Sequence, residues 1–439
     1  DANPEIIRMV PGSEDQAVFV ASGTNMKKAT VLLMVLMAAF WGCEDDAVDE
    51  VPTFDSFSLQ TVMTVATATD ANPEIIRMVP GSEDQAVFVA SGTNQLFSID
   101  YTTSNFTVNE LAVLETGSAT AEFTSIDVSP LIGGENYIAV CVAEADCGQG
   151  SIKLVKLSDP TSVVTVSGIG YNPDGCAFTK DGSFLIVACE DDREDRTCKP
   201  DTRHGGSVSI ISLENGIANA SLVQDYAVDH DVDSEPEHCE TSADGTVVVS
   251  VQETSEILVF NANDAPLEAS DVTIVSLQAD AGDNEAEPDG LYIYPSGDYA
   301  LISNERNGSF QILDLATFTA TDPHTILNDL PSGWQHDARK STKQTEPEEA
   351  AVIEKDGHVY ALMALQESHA VVAYDVTDPA NIIFDSVAKA GLDPDSDMGM
   401  EKSEVGSEGL AVHPTNGVAF SANEREGSIT MFTAEWARE

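Results

Sequence analysis

From about residue 70 onward, apolar residues fall in short runs separated by polar turns, and no stretch after Cys43 keeps a 3.6-residue period. Residues 248–251, 257–260 and 370–374 are β-branched or aromatic runs bounded by turn residues, which predicts strands. Asp181-Gly182, Asp244-Gly245, Asp356-Gly357 and the variant Ser296-Gly297 stand between successive runs, where a hairpin needs positive φ.

The runs recur as one phrase. It opens with Pro and an acid, passes through an apolar strand and a tight turn, and ends a second strand at Glu. A polar hairpin and a third strand follow. Residues 173–190, 236–253, 288–305, 347–367 and 408–424 are the clearest copies, and weaker ones begin near Pro73-Glu74 and Glu122-Phe123. Seven units of roughly 50–60 residues are too long for a parallel β-helix and fit an all-β, seven-bladed β-propeller over residues 54–439. The last unit runs out after the strand at 429–432, while residues 54–69 form a strand with no partner of its own. The pattern predicts that this N-terminal strand closes the ring and hides the exposed edges.

Upstream of the repeats the pattern changes. Residues 1–25 copy residues 70–94 without a single difference, which marks an assembly artefact or a recent duplication rather than a diverged repeat. Met26-Lys27-Lys28, the apolar residues 29–41 and Gly42-Cys43 read as a lipoprotein signal peptide over 26–43, with Cys43 as the lipidation site. The bulky Phe40 and Trp41 leave an ordinary signal peptide with a chance cysteine as the alternative. Residues 44–53 form an acidic tether of the kind that sorts lipoproteins to the outer membrane or cell surface. The expected location is therefore outside the cytoplasm, anchored to a membrane by lipid. Six further cysteines, Cys141, Cys147, Cys176, Cys189, Cys198 and Cys239, are even in number and lack C-x-x-C spacing, so disulfides are expected over zinc.

Charge narrows the functions. Twenty Lys and Arg face 75 Asp and Glu, for a net charge of −55, which excludes nucleic acid as a partner and favours cations. In an antiparallel blade the start of the first strand and the end of the second lie at one edge. The repeated acids are therefore expected around one channel mouth: Glu122, Asp174, Glu237, Asp289, Glu348 and Glu408, facing Glu144, Glu190, Glu253, Glu305, Glu367 and Glu424. Crowded carboxylates need protons, bases or divalent cations, and an all-oxygen donor set favours Ca²⁺. Arg306 and Arg425 stand next to two of the acids as possible partners. The plainer alternative is that the acids cap backbone N–H groups and fix the hairpins. A second calcium candidate is the loop Asp393, Asp395, Asp397, Glu401 and Glu404, with calcium-loop spacing but a displaced glycine. The segment Asp229, Asp231 and Asp233 repeats part of it. His238 takes the glycine position of its repeat and could reach the mouth. Hydrolase, P-loop and dinucleotide motifs are missing, and so is HExxH.

Two passages carry a family resemblance. One runs from Asn172 to Glu190 and closes at Gly206–Gly216; the other joins residues 359–367 and 372–380 to Ser407-Glu408-Gly409-Leu410 and Ala422-Asn423-Glu424. The chain resembles the choice-of-anchor I propellers, secreted proteins related to the mesenchyme-specific cell-surface glycoprotein, over roughly residues 70–435. Ser91 departs from the pattern where other units carry Glu. More distantly it is similar to lactonase-like propellers. The resemblance implies fold and location more than chemistry. The expectation is a non-enzymatic surface module for adhesion or extracellular assembly, with other surface proteins or further copies of itself as partners and Ca²⁺ as stabiliser. A calcium-dependent hydrolase of phosphoesterase or lactonase type is the alternative, and the scarcity of bases to clamp phosphate counts against it.

Overall fold

The computed structural model describes residues 7–9, 17–19, 56–67, 71–114, 121–144, 148–190, 205–228, 234–282, 284–331, 345–392 and 406–437. Cys43 with its signal and tether, the 393–404 loop, residues 229–233, Cys147 and Cys198 lie outside them. Two units are distinguished, residues 1–53 and the propeller from Phe54 to Glu439. In the first, Ile7–Met9 pairs with Ala17–Phe19. Its register, Ile7 opposite Phe19, matches that of the identical sequence in the propeller, Ile76 opposite Phe88, so the hairpin is dictated locally.

The propeller has seven antiparallel sheets. Their inner strands are Pro73–Met78, Glu122–Val128, Pro173–Phe178, Pro236–Thr241, Pro288–Ile293, Pro347–Lys355 and Ser407–Val412, one at the start of each blade from 1 to 7. Each blade continues outward through consecutive strands, and blade 5 splits its outer strand into Thr319–Ala320 and His324–Thr325. Blade 7 is completed by Ser56–Ala66, which pairs with Ser428–Ala437 as the sequence predicts. Second and third strands such as Phe184–Cys189, fully buried, pack blade against blade. That two-sided burial explains why they read as continuous apolar runs rather than as alternation.

The cysteines correct an expectation. Cys141, Cys176, Cys189 and Cys239 are free and buried, not joined in disulfides. They serve as small apolar side chains in the cores between blades 2, 3 and 4. Burial, with the neighbouring Cys176 thiol adding to it, pushes the Cys141 thiol far above its usual range.

Every inner strand carries a bulge at its start, and this detail places the site. In blade 4 Pro236 lies opposite Val251 and Cys239 opposite Val249, so one extra residue sits on the inner strand. The same two-against-one step occurs in all seven blades. Just before it, Asn72, Asn172, Glu287 and Glu346 take left-handed backbone with φ between 44° and 51°. Their carbonyls then accept the N–H that follows the second strand, as in Glu190 N to Asn172 O at 3.0 Å.

Candidate functional site: a two-layered channel

The bulge residue turns inward at the channel mouth. Counted from the register, it is Glu74, Thr124, Asp174, Glu237, Asp289, Glu348 and Glu408 in blades 1 to 7. Six of the seven are acids. Blade 2 departs from the sequence expectation: Glu122 lies two residues early and exposed, and Thr124 takes its place, donating its hydroxyl to Pro173 O. A bulge cannot be counted from an alternating pattern, and Glu122 merely precedes it.

The partners at the end of the second strand also shift. The register places Ser91, Ala143, Glu190, Gln252, Glu305, Gln366 and Glu424 there. Glu144, Glu253 and Glu367 fall one residue beyond, and Glu253 is exposed. Gln252 donates to Glu305 at 3.0 Å, and Gln366 donates to Glu408. The two glutamines supply hydrogen bonds where further acids were expected. Arg425 donates to Glu367 at 2.9 Å and to Gln366, as a base next to this layer should. Arg306 instead pairs with Glu287, outside the ring.

The ring stays crowded nonetheless. Glu237 and Asp174 bring carboxylate oxygens within 4.8 Å of each other, and Asp289 is among the carboxylates whose charge raises Glu348; groups this crowded need a shared proton or a bridging cation. Burial, followed by repulsion from Glu190, Asp174 and Asp289, raises Glu237 well above the usual range. Burial with Glu408 and Glu305 does the same to Glu348, and burial with Glu424 and Asp289 to Glu408. Asp289 is pushed up to about 7 by burial, with Glu305 and Asp174 adding to it. Two groups of carboxylates bring oxygens within 4.8 Å of one another: Asp174, Glu190 and Glu237, and Glu305, Glu346 and Glu348. These donors are hard oxygens alone, the chemistry Ca²⁺ takes. Glu346 was not foreseen, because it precedes the repeated Pro-acid pair and reaches the cluster only through its left-handed backbone.

Three residues deeper along each inner strand the chemistry changes. The same register layer holds Arg77, Asp127, Ala177, Glu240, Tyr292, Ala351 and Ala411. Lys180, His238 and Glu349 complete the surroundings. Arg77 pairs with Glu349 at 2.8 Å and Lys180 with Glu240 at 2.7 Å. Asp127 accepts the Phe178 N–H at 2.8 Å. His238 Nε2 lies 3.5 Å from Arg77 and 3.6 Å from Glu349, so it points into this layer rather than to the mouth. Burial works against the Arg77 charge, yet Glu349 and Asp127 hold its pKa above normal. Burial would raise Glu240, but Lys180 outweighs it and leaves that carboxyl lowered. Asp127 is raised to about 6 by burial, against the pull of Arg77 and Lys180. His238 is lowered by burial first and by Arg77 among its neighbours, and is neutral near pH 7. A cavity of about 320 Å³ adjoins these groups and extends to Pro80, Gly81, His413 and Pro414, at the hairpins that end the inner strands.

Glycine allows the blades to meet this closely. A Cβ on Gly290 would stand 2.2 Å from Glu348 O, and one on Gly409 2.2 Å from Glu74 O. Only glycine lets the backbone of the next bulge approach so near.

The sequence profile of the choice-of-anchor I domain matches residues 78–327. The chain belongs to the choice-of-anchor I family. Membership supports a surface-associated, non-enzymatic propeller. Comparison with curated protein sequences finds no match. Among solved structures, a catalytically inactive virginiamycin B lyase from Staphylococcus aureus with quinupristin superposes with a TM-score of 0.55 at 12% identity, covering 86% of this chain and 99% of that one. Kuenenia stuttgartiensis hydrazine synthase gives 0.56 at 15% identity, covering 85% and 97%. Chaetomium thermophilum Raptor gives 0.58 at 12% identity, covering 86% of this chain and 29% of that one. At such identities the likeness is one of fold.

Proposed function

We propose that this choice-of-anchor I propeller is a lipid-anchored surface module, attached through Cys43, whose acidic channel mouth binds Ca²⁺ and which serves adhesion or extracellular assembly. The observation that carries the reading is the paired carboxyl groups of the mouth. Asp174, Glu190 and Glu237 bring oxygens within 4.8 Å of one another, as do Glu305, Glu346 and Glu348, and Asp289 adds its repulsion to Glu348. Glu237 and Glu348 are each 8% exposed, too enclosed for bulk salt to screen their repulsion well. A divalent cation replaces the missing protons and converts the repulsion into ligation. A rigid, acidic propeller carried on a tether then presents its outer surfaces to other proteins or to further copies of itself. In this reading calcium is structural and the ring performs no chemistry.

The expected result is that chelation lowers the melting temperature of the mature protein and that Ca²⁺ restores it. At 100 times the dissociation constant, one site adds about 2.7 kcal/mol. NaCl at equal ionic strength should restore only the part due to surface screening. Full rescue by NaCl would mean that the acids form a general acidic surface and hold no specific ion.

A further inference from the structure

The deeper layer of the channel is chemically unlike the rest of a chain with 75 acids and 20 bases. Arg77 and Lys180 stand in it, each already matched to one acid, with Asp127 near both. Burying ion pairs is weak support for stability, because desolvation offsets most of the attraction. The layer is also deliberately open. Four blades place Arg77, Asp127, Glu240 and Tyr292 at this register, while the other three place alanine, and two of these, Ala351 and Ala411, line the 320 Å³ cavity.

We propose that this cavity is a binding site for a small zwitterion of the amino-acid class, with an ammonium and a carboxylate on one short skeleton. Lys180 is the accessible cation, its side chain 54% exposed, and it uses one of its three N–H groups on Glu240. The remaining donors suit a carboxylate. Asp127, half-buried in the same lining, together with Glu240 suits an ammonium. Net charge selects between ligand classes. Two cations face Glu240, Glu349 and a partly protonated Asp127, so the lining is close to neutral, and a ligand bearing one charge would leave a group unmatched. A simple anion is also repelled by the field of a −55 chain, and a simple cation is diverted to the acidic mouth. A zwitterion avoids all three penalties, and the volume accommodates one of amino-acid size.

The test uses the mature protein with Ca²⁺ present, so that failure of the mouth to bind metal cannot pass for failure here. Thermal melts with a pool of the twenty protein L-α-amino acids, β-alanine and γ-aminobutyrate should show a rise of several degrees. Propionate and propylammonium at the same total concentration should not. Isothermal titration of the strongest pool member should then weaken at least tenfold in Lys180→Gln, which keeps a hydrogen-bonding group towards Glu240. Should that variant fail to fold, Asp127→Asn, which still accepts the Phe178 N–H, should show the same loss. The proposal is overturned if the pool gives no shift, if propionate or propylammonium alone matches it, or if a folded variant binds as tightly as the parent.

Discussion

Two layers of one channel, three residues apart on the same strands, handle charge in opposite ways. At the mouth six blades repeat an acid, and the neighbours supplied by the frame are three more acids, two glutamines, a serine and an alanine. In the layer below, Arg77 and Lys180 answer Glu349 and Glu240 one to one. Repetition accounts for the difference. A residue copied around a ring meets only its own kind, so its charge accumulates; residues that differ from blade to blade can be complementary. The mouth is therefore in need of something from solution, whereas the deeper layer is balanced by itself.

The largest expected effect breaks the balanced layer. Arg77→Met keeps much of the volume but leaves Glu349, 5% exposed, without its cation, and it removes a neighbour of Asp127. Stripping one partner from a buried pair costs about 3–5 kcal/mol. Urea unfolding should show that loss with or without Ca²⁺. A loss that depended on Ca²⁺ would mean that the two layers are one electrostatic unit.

The mouth should respond with the opposite sign. Asp289→Asn removes a charge that repels Glu348, so at pH 8 in chelator the variant should gain on the order of 1–3 kcal/mol. In Ca²⁺ the gain should vanish or reverse, because a ligand has been lost. Destabilisation in chelator would show that Asp289 already has a compensating partner in the metal-free protein.

Acidification tests the same contrast without substitution. Asp289 titrates near 7 and Asp127 near 6, both above the ordinary aspartate value of 3.8, and Glu74, Glu237, Glu348 and Glu408 are raised well above 4.5. A carboxyl raised on folding binds more protons in the native than in the unfolded state between the two values, so stability falls as pH rises through that interval. The penalty is absent below the unfolded pKa and fully present above the folded one. In chelator, stability should therefore climb as pH drops from about 8 to about 5. Saturating Ca²⁺ should flatten or invert the slope. A slope unchanged by Ca²⁺ would place the titrating groups away from any metal site.

How much of this was legible in the sequence follows from the same contrast. The Pro-acid phrase and the Glu after the second strand recur, so seven blades, the closing strand at Ser56–Ala66 and an acidic mouth could be read directly. The bulge could not, because it changes register without changing composition. That is why Thr124 stood hidden behind Glu122, and Gln252 and Gln366 behind Glu253 and Glu367. The deeper layer left no periodic trace at all. Arg77, Asp127, Glu240 and Tyr292 share a register position but no single residue type, and Lys180 and His238 reach them from other positions. The buried cysteines misled for a different reason. An even count in an exported chain fits a disulfide framework, but Cys141, Cys176, Cys189 and Cys239 fill core positions where apolar volume is what packing requires.

The smallest effect calibrates the others. Lys156 and Glu135 form an ion pair at 3.0 Å on the outside of blade 2, with side chains 28% and 37% exposed. Its distance resembles that of Arg77 and Glu349, 2.8 Å, so geometry alone would rank the two together. Water and salt screen the outer pair, and ordering two flexible side chains opposes it. Lys156→Ala should leave the urea midpoint within the scatter of replicates at physiological salt, and any difference seen at low salt should disappear on adding NaCl. Arg77→Met, whose charge is enclosed by the channel, should keep most of its deficit under the same salt. If salt erased both deficits alike, the channel interior would be as well solvated as the surface, and its ion pairs would owe nothing to enclosure.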